Sequence, residues 1–292
     1  MTPDLHVLTR ADLHAAGMSR GAIDRALAAG TLVRARRNQY LPADAPDEAI
    51  MAVRIGGRLT CLSVLAAHGV FVRGNTRVHV HMARTAGRMR AAYDLRTPLA
   101  RRGRRLQVLH WMPLRAPVDA RATGVGVLDA LIHSVTCQPW RDAVAAIDSA
   151  VHLGLVTIDE LQAVFATLSK RYWRLLTLVD GRAESGPETL MRLLVRELGC
   201  HVDLQVRIDD VGRVDLLVDG WLVIECDSKE HHSSWAQQVK DRERDLALAA
   251  RSYVTLRPTA HQILNRPNLV RDALRGALAA RRGATTQART AR

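Results

Sequence analysis

The stretch Arg213–Asp227, RVDLLVDGWLVIECD, decides the reading of this chain. Two apolar runs, RVDLLV and WLVIECD, flank Asp219-Gly220, and an Asp-Gly pair in that setting is a strong β-hairpin signal. Asp215 interrupts the first run, and Glu225 and Asp227 close the second. A carboxylate inside an apolar strand is costly to bury without a partner. Glu225 and Asp227 stand two residues apart and so share a sheet face. The loop length then decides where Asp215 falls. A two-residue turn pairs Val218 with Trp221 and sets Asp215 opposite Ile224. A three-residue loop, Asp219 to Trp221, pairs Val218 with Leu222 and sets Asp215 opposite Glu225. A joint site requires the longer loop or a bulge.

Facing one another, Asp215, Glu225 and Asp227 would offer hard oxygen ligands suited to Mg2+ or Mn2+, with the Cys226 carbonyl as a further donor. Glu188, on a preceding helix, would complete the shell or orient a metal-bound water. The competing reading is an ion-pair network with Arg213, Lys229 or Arg244, and spacing alone does not separate the two.

Around the hairpin, ESGPETLMRLLVREL has helical spacing, with Pro187 suited to the first helical position. HVDLQVRI and SYVTLRP read as strands, and WAQQVKDRERDLALAA and NLVRDALRGALAA as helices. The polar tail after Arg282 is expected to fray.

The N-terminal end has a different rhythm. Thr9 suits the N-cap of RADLHAA, with Gly17 as its stop, and Ser19 caps RGAIDRALAA, which ends at Gly30. TLVRARRNQYL follows as a short hairpin. Helix, tight turn, helix and hairpin make the pattern of a winged helix-turn-helix, whose second helix enters the major groove of DNA. Arg20, Asp24 and Arg25 fall near the exposed face of that helix, and Arg34, Arg36 and Arg37 on the wing. The bland alternative is a small helical cap with a solvated arginine face.

The 292 residues carry 42 Lys+Arg against 29 Asp+Glu, a net charge of +13, and only Lys170, Lys229 and Lys240 are lysines. The charge is thus carried by arginine, which binds phosphate bidentately, so nucleic acid is the natural partner. Between Arg73 and Arg121, twelve arginines meet two acids, Asp94 and Asp119. VHVHM and LQVLHWM in this stretch read as strands, with RRGRR as a loop before the second. His79 and His81 share a strand face, where histidines are more often packing or surface residues than ligands. Residues 124–179 read as helical scaffold, with Thr157 and Glu160 as a capping box. Trp111, Trp140 and Trp173 read as packing residues, and Trp235 as open to a substrate. Cys61, Cys137, Cys200 and Cys226 form no CxxC pair, so neither a zinc knuckle nor a disulfide framework is indicated. The chain has no long apolar run and no secretory signal, which points to the cytoplasm rather than a membrane. No GxxxxGK loop argues for ATP use.

Two resemblances bear on these readings. From about residue 184 to 264, the chain resembles the very-short-patch-repair-like branch of the PD-(D/E)XK nuclease superfamily. The matching strings are PE (187–188), VDLLV (214–218), VIECDSKEHH (223–232) and KDRERDLALAARSYVTLRPT (240–259). The resemblance implies a mixed sheet flanked by helices and metal-dependent DNA cleavage. It makes Asp215 the central ligand, Glu225 the acid of the E-x-K/E-x-D element and Glu188 the helical acid. It puts His231 or His232 near the branch's histidine, and Arg244, Asp245 and Arg257 at recurrent positions. Asp227 stands where the superfamily usually has lysine, with Lys229 as the candidate substitute, and Ser228 stands where the branch usually has glycine. At the other end, over roughly residues 5–42, the stretch containing LTRADLHAAGMSRGAIDRALAAGTLVRARRNQYL resembles the winged helix of AbiEi-type abortive-infection antitoxins. That resemblance implies DNA binding, for instance at the protein's own promoter.

The expected fold class is α+β (mixed α/β). A winged helix-turn-helix spans 1–45, a basic mixed α/β middle region and helical linker 46–180, a restriction-endonuclease-like sheet flanked by helices 181–282, and a disordered tail 283–292. The expected function is metal-dependent endonuclease action on DNA. The alternative is a non-catalytic DNA-binding regulator or antitoxin-like protein with a degenerate nuclease domain. A homodimer, and a toxin or methyltransferase partner, are compatible with either.

Overall fold

The computed structural model describes residues 5–116, 118–226 and 235–290; the side chains of 102, 236–238 and 284–290 lie outside this description. The architecture is mixed α+β, with several small sheets among the helices. The chain divides into two compact units. One takes the chain through Ala146 and adds Leu153–Leu176; the other takes Ile147–His152 and the chain from Thr177 onward.

The first unit opens with α1 (Arg10–Ala15) and α2 (Arg20–Ala28), followed by β1 (Leu32–Arg36) and β2 (Gln39–Pro42). The caps are those the sequence signals. Thr9 accepts from the Asp12 amide in a full capping box, and Ser19 accepts from the Ala22 amide. Gly17 and Gly30 follow the two helices at φ of 85° and 70°. β1 and β2 pair antiparallel, and Leu8 exchanges backbone hydrogen bonds with Tyr40 on the free side of β2. Leu13, Ile23, Leu32 and Tyr40 form the core between helices and hairpin. A second core, including Ala35, Leu41, Ile50 and Val53, ties the hairpin to α3 (Asp47–Ile55).

After α3 come β3 (Arg58–Leu59), α4 (Cys61–Ala67), β4 (His79–His81) and β5 (Val108–His110). They form a three-stranded sheet in the order β3-β4-β5, antiparallel then parallel. The two histidine-bearing runs are strands as expected, whereas β3 had no signal because it is two residues long. Arg102–Arg104, read as loop, makes a single 3-10 turn. The helices α5 (Val127–Cys137), α6 (Trp140–His152), α7 (Ile158–Phe165) and α8 (Lys170–Leu176) follow. The capping box of Thr157 and Glu160 opens α7. Trp111, Trp140 and Trp173, read as packing residues, keep 41%, 39% and 43% of their surface exposed. The Arg141 guanidinium lies 4.6 Å from the Trp140 ring centroid, and the Trp173 indole N–H donates to the Leu168 carbonyl.

The second unit contains α9 (Gly186–Glu197), β6 (Val202–Ile208), β7 (Gly212–Val218), β8 (Leu222–Ile224), α10 (Trp235–Ala250), β9 (Val254–Leu256), α11 (Ala260–Asn265) and α12 (Pro267–Thr290). Strand order is β6-β7-β8-β9, with β9 parallel to β8 and the other pairs antiparallel. The tail expected to fray after Arg282 instead continues α12 as helix to Thr290. Ser185 caps α9, and Pro187 sits in its first turn. Arg192 of α9 is fully buried and pairs with the equally buried Asp148 of α6 at 2.7 Å. Asp148 also accepts from the Thr189 hydroxyl and the Asp180 amide. Among the described residues, no helix is long and apolar enough to cross a membrane.

Candidate carboxylate site

The hairpin loop is the three-residue one. Val218 pairs with Leu222, Leu217 with Val223 and Leu216 with Ile224. One further step along the ladder sets Asp215 opposite Glu225. Asp219 and Gly220 make the turn at φ of 47° and 73°, a left-handed backbone suited to Asp and Gly. The Asp219 carboxylate accepts from the His201 amide, tying the loop to the strand before it.

Asp215 is half-buried, and one of its oxygens accepts from the Cys226 amide at 2.8 Å. Burial pushes its carboxyl pKa up; the Cys226 N–H and the Arg244 charge oppose the rise. Glu225 is buried, and its pKa is pushed up to about 7, first by burial and then by the charge of Asp215. Arg244 of α10 reaches Glu225 Oε1 at 2.9 Å, but the contact is ionic rather than an aligned hydrogen bond. The same guanidinium nitrogen donates to the Arg213 carbonyl, and among the described residues Oε1 receives no aligned hydrogen bond.

Glu188 is buried at the first turn of α9, where both of its oxygens are satisfied. Oε2 accepts from the Glu184 amide and the Gln205 side chain, and Oε1 from the Ser185 hydroxyl. Burial again raises its pKa, and the charge of Asp215 adds to the rise. The Cys226 thiol is pushed well up, by burial first and then by Asp215, Glu188 and Glu225. Sulfur is a soft donor, so the hard donor at this residue is the Cys226 carbonyl. Asp227, Lys229, His231 and His232 lie outside the described residues.

Arg213 belongs to a different pair, bidentate with Glu184 at 2.7 and 2.9 Å. Arg257, just after β9, pairs with Asp245. Of the ion-pair partners weighed from the sequence, Arg244 alone among the described residues reaches one of the three acids.

Gln205 is the residue sequence reasoning missed. It sits on β6 opposite Asp215, at a φ of 54° that breaks the ladder between Leu204 and Val206. Its amide nitrogen donates to Glu188, and its buried Oε1 has no donor among the described residues. Left-handed backbone at a non-glycine strand residue costs roughly 1–3 kcal/mol and persists where surroundings over-determine it. The only hint in the sequence was a polar residue in the middle of HVDLQVRI. Glu225 Oε1, ion-paired with Arg244 but given no aligned hydrogen bond among the described residues, and Gln205 Oε1, likewise undonated among them, join Asp215 in a set of oxygen donors alone. That chemistry fits Mg2+ or Mn2+.

The N-terminal arginines divide into two kinds. Arg20 and Arg25 on α2, and Arg34 and Arg37 on the wing, are exposed. Arg36 differs from its expected place at phosphate: its guanidinium donates to the carbonyls of Arg54, Gly87 and Arg88. It fills the space beside Gly56, where a Cβ would come within 2.0 Å of it.

Residues 4–43 match the family described as transcriptional regulator, AbiEi antitoxin. The matched segment holds the capped helix pair and the wing, and it ends well before the carboxylates. No curated protein matches the chain. The AbiEi-like segment therefore accounts for the basic α2 and wing, and the acids of the second unit are read from their geometry.

Proposed function

We propose that the chain binds DNA through its AbiEi-like winged helix and hydrolyses phosphodiester bonds at the carboxylates of its second unit. The observation that carries the second half is the hairpin register, which sets Asp215 opposite Glu225, whose Oε1 is ion-paired with Arg244 but takes no aligned hydrogen bond among the described residues. Asp215 and Glu225 would hold a divalent cation, with the Cys226 carbonyl as the neighbouring hard donor. Such a cation supplies Lewis acidity toward a phosphate oxygen and a bound water of lowered pKa. Glu188 holds Gln205 in place through its hydrogen bond, and Arg244 balances negative charge beside Glu225. Mg2+ or Mn2+ and DNA are the implied ligands, and a toxin is a compatible partner for the AbiEi-like segment.

A second reading has its own support. Arg244 already sits on Glu225, and Glu188 is saturated by its own helix cap. Both are what a non-catalytic DNA-binding regulator with a degenerate nuclease domain would show. Nicking of supercoiled plasmid by the full chain, with Mg2+, Mn2+ or chelator, separates the two. The nuclease reading expects metal-dependent nicking that Asp215→Asn abolishes while DNA binding persists. Binding without nicking under every metal condition gives the protein to the regulator reading.

A further inference from the structure

The first unit contains a convergence of a different chemistry, on nitrogen and sulfur. Cys61 opens α4, His79 begins β4, His110 ends β5 and Cys137 ends α5. β4 and β5 run parallel with His81 opposite His110, so His79, His81 and His110 project from one face of the sheet. His79 Nδ1 lies 3.1 Å from His110 Nε2, and Cys137 Sγ lies 3.9 Å from the same His79 nitrogen. One ligand atom from each of the four residues lies within 4.8 Å of all the others.

We propose that Cys61, His79, His110 and Cys137 hold one zinc ion in a closed, structural tetrahedral site. Zinc binds imidazole nitrogen at about 2.0–2.1 Å and thiolate sulfur at about 2.3 Å. Tetrahedral angles then place nitrogens about 3.3 Å apart, nitrogen and sulfur about 3.6 Å apart, and sulfurs about 3.8 Å apart. The His79–His110 and His79–Cys137 separations, 3.1 and 3.9 Å, lie close to these values, and all the others stay within 4.8 Å. Two thiolates and two imidazoles form a soft donor set that selects zinc over magnesium. Four protein ligands leave no open position, which makes the site structural rather than catalytic.

The surroundings fix the ligands in place. The His110 ring stacks between His79 and His133, with centroids 5.3 and 5.2 Å away. The His133 Nδ1 lies 2.6 Å from the Thr60 hydroxyl, and the His79 amide donates to the Ser63 hydroxyl. Cys61 is fully buried and held at a φ of 51°, a backbone state that L residues adopt at a cost. Cys61, His79 and His110 are buried, and Cys137 stands at the exposed rim. The ion would clip two helix ends to two parallel strands.

The test uses the full chain purified without chelator. Elemental analysis is expected to find one zinc per chain, and replacement by cobalt(II) to give the visible spectrum of a tetrahedral thiolate site. Chelation should lower the melting temperature and raise the number of reactive thiols by two. Cys137→Ser, at the exposed rim and so least disruptive to folding, should lose the zinc. Asp215→Asn should keep it, since that residue belongs to the other cluster. A folded metal-free protein whose melting temperature ignores chelator overturns the proposal, as does a Cys61–Cys137 disulfide found by mass spectrometry. Full zinc retention by Cys137→Ser also overturns it.

Discussion

The two ligand-rich clusters are built in opposite ways. The carboxylates of the second unit come mostly from one hairpin: Asp215 and Glu225 are ten residues apart and brought together by a single loop. The Cys/His set of the first unit draws on positions 61, 79, 110 and 137, each from a different element. The first kind of site is local, and its donors are hard oxygens. The second is assembled by tertiary folding, and its donors are soft. A chain can therefore announce one site in its strand pattern and hide the other completely, though both need the same proximity of ligand atoms.

The largest expected effect tests how far the two clusters depend on each other. Asp148→Ala leaves Arg192 charged, fully buried and without its carboxylate. Breaking one side of a buried pair costs about 3–5 kcal/mol. Hydrogen exchange should then accelerate in β6 to β9 while β4 and β5 keep their protection. Equal acceleration in both sheets would show that the units unfold as one.

Next in size is the Asp215 carboxylate of the proposed site. Asp215→Asn is expected to lower the nicking rate at least about a hundredfold, about 2.7 kcal/mol in the barrier. Glu188→Gln should cost less, because Glu188 is already engaged by its cap and by Gln205. Equal losses in the two variants would place Glu188 among the metal-holding groups and make that site less local than the hairpin alone.

A smaller effect belongs to α2. Arg25→Ala is expected to weaken DNA binding about tenfold, or about 1.4 kcal/mol. Gel-shift titrations with the protein's own promoter would measure it. Arg36→Lys should leave affinity nearly unchanged and lower stability, since Arg36 serves carbonyls. The reverse ranking would return Arg36 to the DNA-facing wing.

The smallest effect is a control remote in kind from both clusters. Glu160 has its pKa lowered from 4.5, first by the Thr157 amide and then by its hydroxyl. A carboxyl depressed in the folded state adds stability that is present above its unfolded pKa and lost as pH falls through its folded pKa. Acid titration of the melting temperature should therefore show a shallower decline below pH 4.5 in Glu160→Gln than in the wild type. An unchanged profile would mean the capping box holds α7 without help from charge.

What could be read from the sequence was short-range. Thr9, Ser19 and Thr157 act as caps because a cap is decided within four residues. The hairpin register was a choice between two loop lengths, and the longer one is present. The Cys/His convergence depends on the parallel pairing of β4 with β5, which no local pattern encodes. Reading His79 as a packing residue and the cysteines as mutually distant was correct along the chain and incomplete in space. The Asp148–Arg192 pair, the strained Gln205 and the anchored Arg36 share that cause. The helical reading of 157–179 missed the break between α7 and α8 because both halves carry the same periodicity.

Counterion release gives the anchored Arg36 a thermodynamic meaning. Each phosphate that a protein neutralises on duplex DNA steepens the fall of log Kobs with log salt by about 0.9. That slope counts guanidinium groups that reach phosphate, not those present in the sequence. An arginine whose N–H groups are spent on main-chain carbonyls keeps its charge and releases few ions. For the proposed DNA binding, the net charge of +13 thus overstates the expected ionic-strength sensitivity, and the wing's share is expected from Arg34 and Arg37.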